Sequence, residues 1–288
     1  MHYIKLIRPK QWLKNSFVVA PLIFSGQINI ELLLICVKSL LVFILISGCV
    51  YVFNDLKDLE YDKKHPKKKF RPLASGEISS FNASAYLVFL LVLSCILIYS
   101  FQITFAGMIL ILSYLILNVF YSLGLKEIPL LELAILSSGF VIRLLFGATQ
   151  MNIELSPWII LCSGLLSLMI AVGKRRSDLE QQSSLNLVSR KSLEGYSLDF
   201  LDQVNTLLAS VTIMSYLLFS TSSYALASIG EGVLWTSPFV IFSILRYLQL
   251  VSVNNKGDDP TSMLIGDKIT ISLFLLWFVM ITSIIYFN

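Results

Sequence analysis

The feature that most constrains this 288-residue chain is a succession of continuous apolar runs, such as "LLVFILISGCVYVF" and "ISLFLLWFVMITSIIYF". A helix rises ~1.5 Å per residue, so ~20 apolar residues match the ~30 Å hydrocarbon layer of a bilayer. The runs do not alternate apolar with polar, which excludes a membrane barrel. With 56% hydrophobic residues, 14% charged and a mean hydropathy of +0.78, a soluble domain has too little interior for so much apolar surface. The chain therefore reads as an all-α polytopic membrane protein, with residues 1–288 as one domain.

Nine spans can be marked, at about 14–27, 33–54, 82–101, 103–121, 128–148, 156–173, 203–224, 233–251 and 268–287. The first is short and contains Pro21. The N-terminal tail and the loops after even-numbered spans hold 19 of the 22 Lys and Arg residues; Lys38, Arg143 and Arg246 lie inside spans. By the positive-inside rule the N-terminus and those loops face the cytoplasm. The tail "MHYIKLIRPKQWLKN" lacks a cleavage-site pattern and reads as a retained lead-in to the first span. Cys36, Cys49, Cys95 and Cys162 sit inside apolar runs without metal-like spacing, so they read as small buried residues.

Polar chemistry concentrates after span two, in "NDLKDLEYDKKHPKKKFRP". If the helix continues outward, Asn54, Asp58 and Asp62 fall at i, i+4 and i+8, with Asp55 three before Asp58, all along one face. Carboxylates gathered on one face repel unless something positive lies among them. Hard oxygens suit Mg²⁺, which commonly binds one or two carboxylates together with phosphate oxygens. A solvated acidic turn beside basic residues is the competing reading. The pI of 8.8 follows from the basic loops and needs no nucleic-acid partner.

"NDLKDLEYD" resembles the first aspartate-rich motif of the UbiA superfamily of intramembrane prenyltransferases. "YSLGLK", Tyr121 to Lys126, resembles that superfamily's tyrosine–lysine motif. The resemblance implies a nine-helix bundle with a cytoplasm-facing cavity, Mg²⁺ as cofactor and a diphosphate substrate. It breaks after span six, where aromatic prenyltransferases carry a second acidic motif. Here the segment is "GKRRSDL", and Lys174, Arg175 and Arg176 would attract phosphate directly. With "IRPKQWLKN", "FRPLASG", "GFVIRLLFGA", "LEGYSLDF" and "LRY", this pattern is similar to the decaprenyl-phosphate phosphoribosyltransferases. "DDPTSMLIGDKI" is compatible with the same pattern.

The resemblance implies transfer of 5-phosphoribosyl from phosphoribosyl diphosphate to a polyprenyl phosphate lipid, releasing diphosphate. It assigns metal binding to Asn54, Asp55, Asp58 and Asp62, and catalysis to Asp58, Asp62, Lys126 and Arg143. Lys14, Lys69, Arg71, Tyr121, Lys126, Arg143, Lys174, Arg175, Tyr196 and Arg246 are the expected substrate contacts. The attacking phosphate is already ionised at pH 7 and needs no general base. Arg143 lies well inside span five, where ionisable residues are costly and usually functional, whereas Arg246 lies near a span edge and can snorkel. Arg8, Lys10 and Lys14 also fit an anchor for anionic bilayer lipids. Two other readings stay open: a UbiA-type enzyme prenylating an aromatic acceptor, and a non-catalytic lipid-binding protein or transporter. Homo-oligomerisation is open as well.

Overall fold

The computed structural model describes residues 2–65, 67–185, 191–253 and 266–287, so most of "DDPTSMLIG" lies outside the described residues. The described residues contain helices and turns and no strand. They divide into two compact units, Met1–Leu155 and Ser156–Asn288.

The first unit runs through α1 (His2–Leu6), a 3₁₀ segment (Pro9–Asn15), α2 (Ser16–Phe24), α3 (Ile30–Lys57) and α4 (Leu59–Lys64). After these come α5 (Ser80–Ser100), α6 (Phe105–Leu123) and α7 (Leu131–Met151). Side-chain caps fix several starts: Asn29 Oδ1 accepts from the Leu32 amide at 2.9 Å, and Ser79 and Thr104 cap α5 and α6 in the same manner. Packing centres on Val18 of α2, Val42, Phe43 and Ile46 of α3, Tyr114 of α6, and Phe146 of α7. A second apolar cluster joins Leu6 and Ile7 to Cys49, Val52 and Leu90, and takes in Leu73 and Ile78. It pins both the N-terminal segment and the 70s loop against α3 and α5.

The second unit comprises α8 (Pro157–Leu185), α9 (Leu198–Ser220), α10 (Ser223–Ser228), α11 (Ser237–Val253) and α12 (Lys268–Phe287). Tyr216 of α9 exchanges a hydrogen bond with Thr236 at 2.6 Å and accepts one from Trp277 of α12 at 2.8 Å. Ile281 is the one buried residue among those of α12.

Among the described residues eight helices are long and apolar enough to cross a membrane, and the chain is a multi-pass membrane protein. They match expected spans two to nine with edges moved by a few residues. The expected first span differs: α2 has nine helical residues, ~14 Å of rise, because Lys14 and Asn15 belong to the preceding 3₁₀ segment and the helix stops at Phe24, before Gly26 at φ 69°. Span six also changes character. α8 continues as one 29-residue helix, so "GKRRSDL" is helical rather than a loop.

Candidate active site

In the first unit the acidic motif sits where α3 gives way to α4. The helix does not run on unbroken: α3 closes at Lys57, Asp58 takes φ −91° and ψ 6°, and α4 restarts at Leu59. The i→i−4 bonding nevertheless persists, with the Asp58 amide on the Asn54 carbonyl at 2.9 Å and the Asp62 amide on Asp58 at 2.8 Å. The four motif side chains therefore keep the spacing of a helix face across the break. Asp55, Asp58 and Asp62 are all buried.

Each of these carboxylates meets a cation from elsewhere in the chain. Arg8 pairs with Asp55, and Arg71 Nη1 bridges Asp55 Oδ1 at 3.0 Å and Asp62 Oδ2 at 2.5 Å. Lys126 pairs with Asp58, whose other oxygen accepts from Asn54 Nδ2 at 3.1 Å. Ser122 Oγ in turn donates to Asn54 Oδ1 at 3.1 Å.

Local backbone delivers each cation. Arg8 stands at φ 49° and ψ 71°, a left-handed conformation costly for a side-chain-bearing residue, with its guanidinium 5.1 Å from the Tyr51 ring. Arg71 follows the 3₁₀ turn Lys68–Phe70. Gly124, at φ 153°, ends α6 and turns the chain into the Leu125–Glu127 turn that carries Lys126.

Among the described residues no three His, Cys, Asp or Glu side chains gather into a metal-binding group. The donor chemistry nonetheless fits a hard divalent ion such as Mg²⁺, since the face offers only oxygens besides the Asn54 amide nitrogen. One of those oxygens is conspicuous: Asp62 Oδ1 is buried without a hydrogen-bond partner. Burial pushes the Asp62 carboxyl above its ordinary range, although Arg71 and Lys68 pull the other way. A buried orphan oxygen on a carboxylate that resists ionisation is what an added cation would relieve.

The remaining expected contacts of this unit are spread out. Tyr121 is half-buried, Lys69 is exposed with Nζ 5.2 Å from the Phe70 ring, and Lys14 Nζ lies 5.9 Å from the Phe140 ring. Arg143 is buried at 4% exposure on α7. Its Nε donates to Asn15 Oδ1 at 2.9 Å, Nη1 to the Gly139 carbonyl at 2.7 Å, and Nη2 to the Tyr114 hydroxyl at 2.9 Å. The rings of Tyr114, Phe43 and Phe140 lie 4.9, 5.2 and 5.7 Å from its guanidinium carbon. Every nitrogen of Arg143 thus already serves a neutral protein acceptor, and the contact ties α7 to the start of α2.

In the second unit the basic segment of α8 is buried rather than solvated. Arg175, at 1% exposure, pairs with Asp178, and Lys174 is half-buried. Arg176 reaches Asp202 of α9 at 2.5 Å, Glu180 at 3.1 Å and the Val251 carbonyl of α11 at 3.0 Å, joining three helices. Arg246 forks onto Asp267 at 2.6 and 3.1 Å, and Asp267 also caps α12 through the Thr270 amide at 2.9 Å. Tyr196 is buried and stacks on Phe200 at 6.3 Å between centroids.

Sequence reasoning did not single out Asn15, Tyr114, Ser122 or the Arg176–Asp202 pair. It also read Arg8 as a lipid anchor or family residue rather than as the partner of Asp55. The one available signal was that "RPKQWLKN" places cations just before a span.

These helices and polar clusters define an intramembrane transferase of a known type: the UbiA prenyltransferase family model matches residues 16–279, and the chain belongs to that family. Within it, the chain is 33% identical to the decaprenyl-phosphate phosphoribosyltransferase of Corynebacterium glutamicum, over 98% of this chain and 86% of that one. It is likewise 33% identical to the enzyme of that name from Mycolicibacterium smegmatis, over 99% of this chain and 92% of the relative. A UbiA homologue from Archaeoglobus fulgidus, solved with GPP and Mg²⁺, shares the fold at a TM-score of 0.73 and 19% identity, covering 99% of both chains.

Proposed function

We propose that this protein transfers the 5-phosphoribosyl group from phosphoribosyl diphosphate to a polyprenyl phosphate, in a Mg²⁺-dependent reaction that releases diphosphate. The observation that carries the reading is the contrast between its polar helix ends. An acidic face lies at the α3–α4 junction, and Lys174, Arg175 and Arg176 stand on α8 where an aromatic prenyltransferase would present a second acidic motif. Likeness to two phosphoribosyltransferases over nearly the whole chain supports the same choice. The lysine-rich segments support a cytoplasmic N-terminus and a cytoplasmic acidic face in a bacterial inner membrane.

The chemistry suits these residues. Two polyanions have to meet, so their repulsion must be offset by positive charge held in place beforehand. Asn54, Asp55, Asp58 and Asp62 would hold Mg²⁺, which when bound supplies positive charge to the leaving diphosphate. Arg71 and Lys126, already fixed beside those acids, take phosphate oxygens of the donor. Departure of diphosphate builds oxocarbenium character at ribose C1, and the lipid phosphate attacks from the opposite face. No side chain removes a proton, because the nucleophile is already an anion. Lys174 and Arg175 supply phosphate-binding capacity on α8. Arg143 acts through Asn15 and Tyr114, orienting the N-terminal segment that carries Arg8.

Membranes containing the protein are incubated with labelled phosphoribosyl diphosphate, polyprenyl phosphate and Mg²⁺. The expected result is lipid-linked label that disappears when the divalent ion is chelated. Absence of lipid-linked label, together with prenylation of an aromatic acid from prenyl diphosphate, overturns the proposal in favour of the aromatic prenyltransferase reading.

A further inference from the structure

Every carboxylate of the acidic face is held by a cation from a different chain segment. Arg8 comes from the N-terminus, Arg71 from the loop after α4, and Lys126 from the turn after α6. One oxygen of Asp62 is left over, buried and without a partner. Three cations sit against three acids, so the face carries little net charge to attract a divalent ion arriving alone. Such an ion must compete with partners already in place, beside buried carboxylates whose charge is costly to leave unmatched. A diphosphate changes that balance, because its oxygens give displaced cations new acceptors as the metal takes the acids.

We propose that Arg8, Arg71 and Lys126 are exchangeable counter-ions of the acidic face, passing from aspartate to phosphate oxygens on loading, so that divalent metal and diphosphate bind as a coupled pair. This rests on the acidic face being the metal–diphosphate site and adds the order of events there. The Arg71 bridge is the central element, because one guanidinium occupies Asp55 and Asp62 together. Arg8 is suited to the exchange for another reason. Its left-handed backbone and its place over Tyr51 fix where the guanidinium starts, and its side chain is partly open to solvent beside a buried Asp55. Coupling has a kinetic consequence as well. Metal resident without diphosphate would leave a strongly positive pocket open to any anion, and the counter-ions prevent that state.

The test uses the full-length protein in detergent, with Mn²⁺ as the probe, measured by equilibrium dialysis at fixed free metal with and without inorganic diphosphate. The expected result is weak binding of Mn²⁺ alone and tightening on the order of tenfold or more with diphosphate, within the usual range of coupling between two ligands. Arg71→Met and Lys126→Met each raise the affinity for Mn²⁺ alone and shrink the coupling. Two variants on different segments guard against one failing to fold. Mn²⁺ bound equally tightly with and without diphosphate overturns the coupling but leaves the metal site standing. So does an unchanged metal-only affinity in both variants. No binding under any condition, or binding unaffected by Asp58→Asn, overturns the site assignment itself and this proposal with it.

Discussion

Gly147 of α7 gives the sharpest test of how the first unit is assembled. A Cβ at this position would stand 2.1 Å from the Val18 carbonyl oxygen and 2.9 Å from its carbon, both backbone atoms of α2. Carbon–oxygen contacts settle near ~3.3 Å, so Gly147→Ala requires α2 and α7 to separate by about 1 Å. Overpacking of that kind costs about 1–3 kcal/mol. The shift also stretches the 2.9 Å bond from Arg143 Nε to Asn15, at the start of α2, beyond bonding distance. Losing a hydrogen bond to a charged donor adds about 1.5–3 kcal/mol. The total, roughly 3–6 kcal/mol, corresponds to a fall in melting temperature on the order of 10 °C.

Gly139→Ala, about two turns earlier in α7, is the internal control. Its Cβ would meet only side-chain atoms, Arg143 Nη1 at 3.3 Å and Tyr114 Cε2 at 3.5 Å, and these can yield. Thermal unfolding of both variants in detergent, followed by circular dichroism, is expected to show a large fall for Gly147→Ala and a small one for Gly139→Ala. Equal shifts in the two variants, or an unchanged melting temperature for Gly147→Ala, would refute the close approach of the two helices.

Asp58→Asn removes the acid gripped by Lys126 and is expected to abolish transfer of labelled phosphoribosyl while inserted protein stays at wild-type levels; unchanged turnover removes the metal role. Arg176→Met separates α8 from α9 and α11 and is expected to lose about 2 kcal/mol of stability, a figure lowered for the partly exposed Asp202, read as denaturant midpoint. Arg246 and the Thr270 donors hold the Asp267 carboxyl well below the usual range near ~3.9. A depressed carboxyl stabilises the fold fully above its unfolded value, and that contribution is lost as pH falls through the still lower folded value. Stability from this contact is therefore flat from pH 8 to 5 and declines below about pH 4, and Arg246→Met removes that acid-limb dependence.

Much of this architecture was legible before any coordinates, because the bilayer imposes one length on every spanning helix. The runs ending near Phe53, Phe101 and Phe287 needed no tertiary information. Where the reading departed, the cause was local chemistry or distance along the chain. The first span expected at 14–27 shortened at both ends, because Lys14 and Asn15 wind as 3₁₀ helix and the α-helix stops at Phe24, before Gly26 turns the chain at φ 69°. "GKRRSDL" looked like a loop because charges usually mark membrane exits, yet acids on α8 and α9 neutralise it and let the helix continue. The spacing of Asn54, Asp58 and Asp62 predicted one face correctly, since the i→i−4 bonds survive the break at Asp58. No periodicity could show that Arg8 meets Asp55 or that Asn15 meets Arg143, because those partners lie 47 and 128 residues apart.

The last helix, α12, packs along α11 and is pinned by two polar contacts. Asp267 anchors its first turn to Arg246, and Trp277 anchors its middle to Tyr216. Between these points its long apolar side chains, Phe274, Leu275 and Leu276 among them, face outward from the unit. Its depth in the bilayer is thus set by two polar contacts together with its packing on α11, while its outward surface answers only to the hydrocarbon around it. Exchange of one large apolar residue for another on that surface is expected to leave the helix where it is. A charge placed there, or loss of either polar anchor, would let it slide relative to α9 and α11.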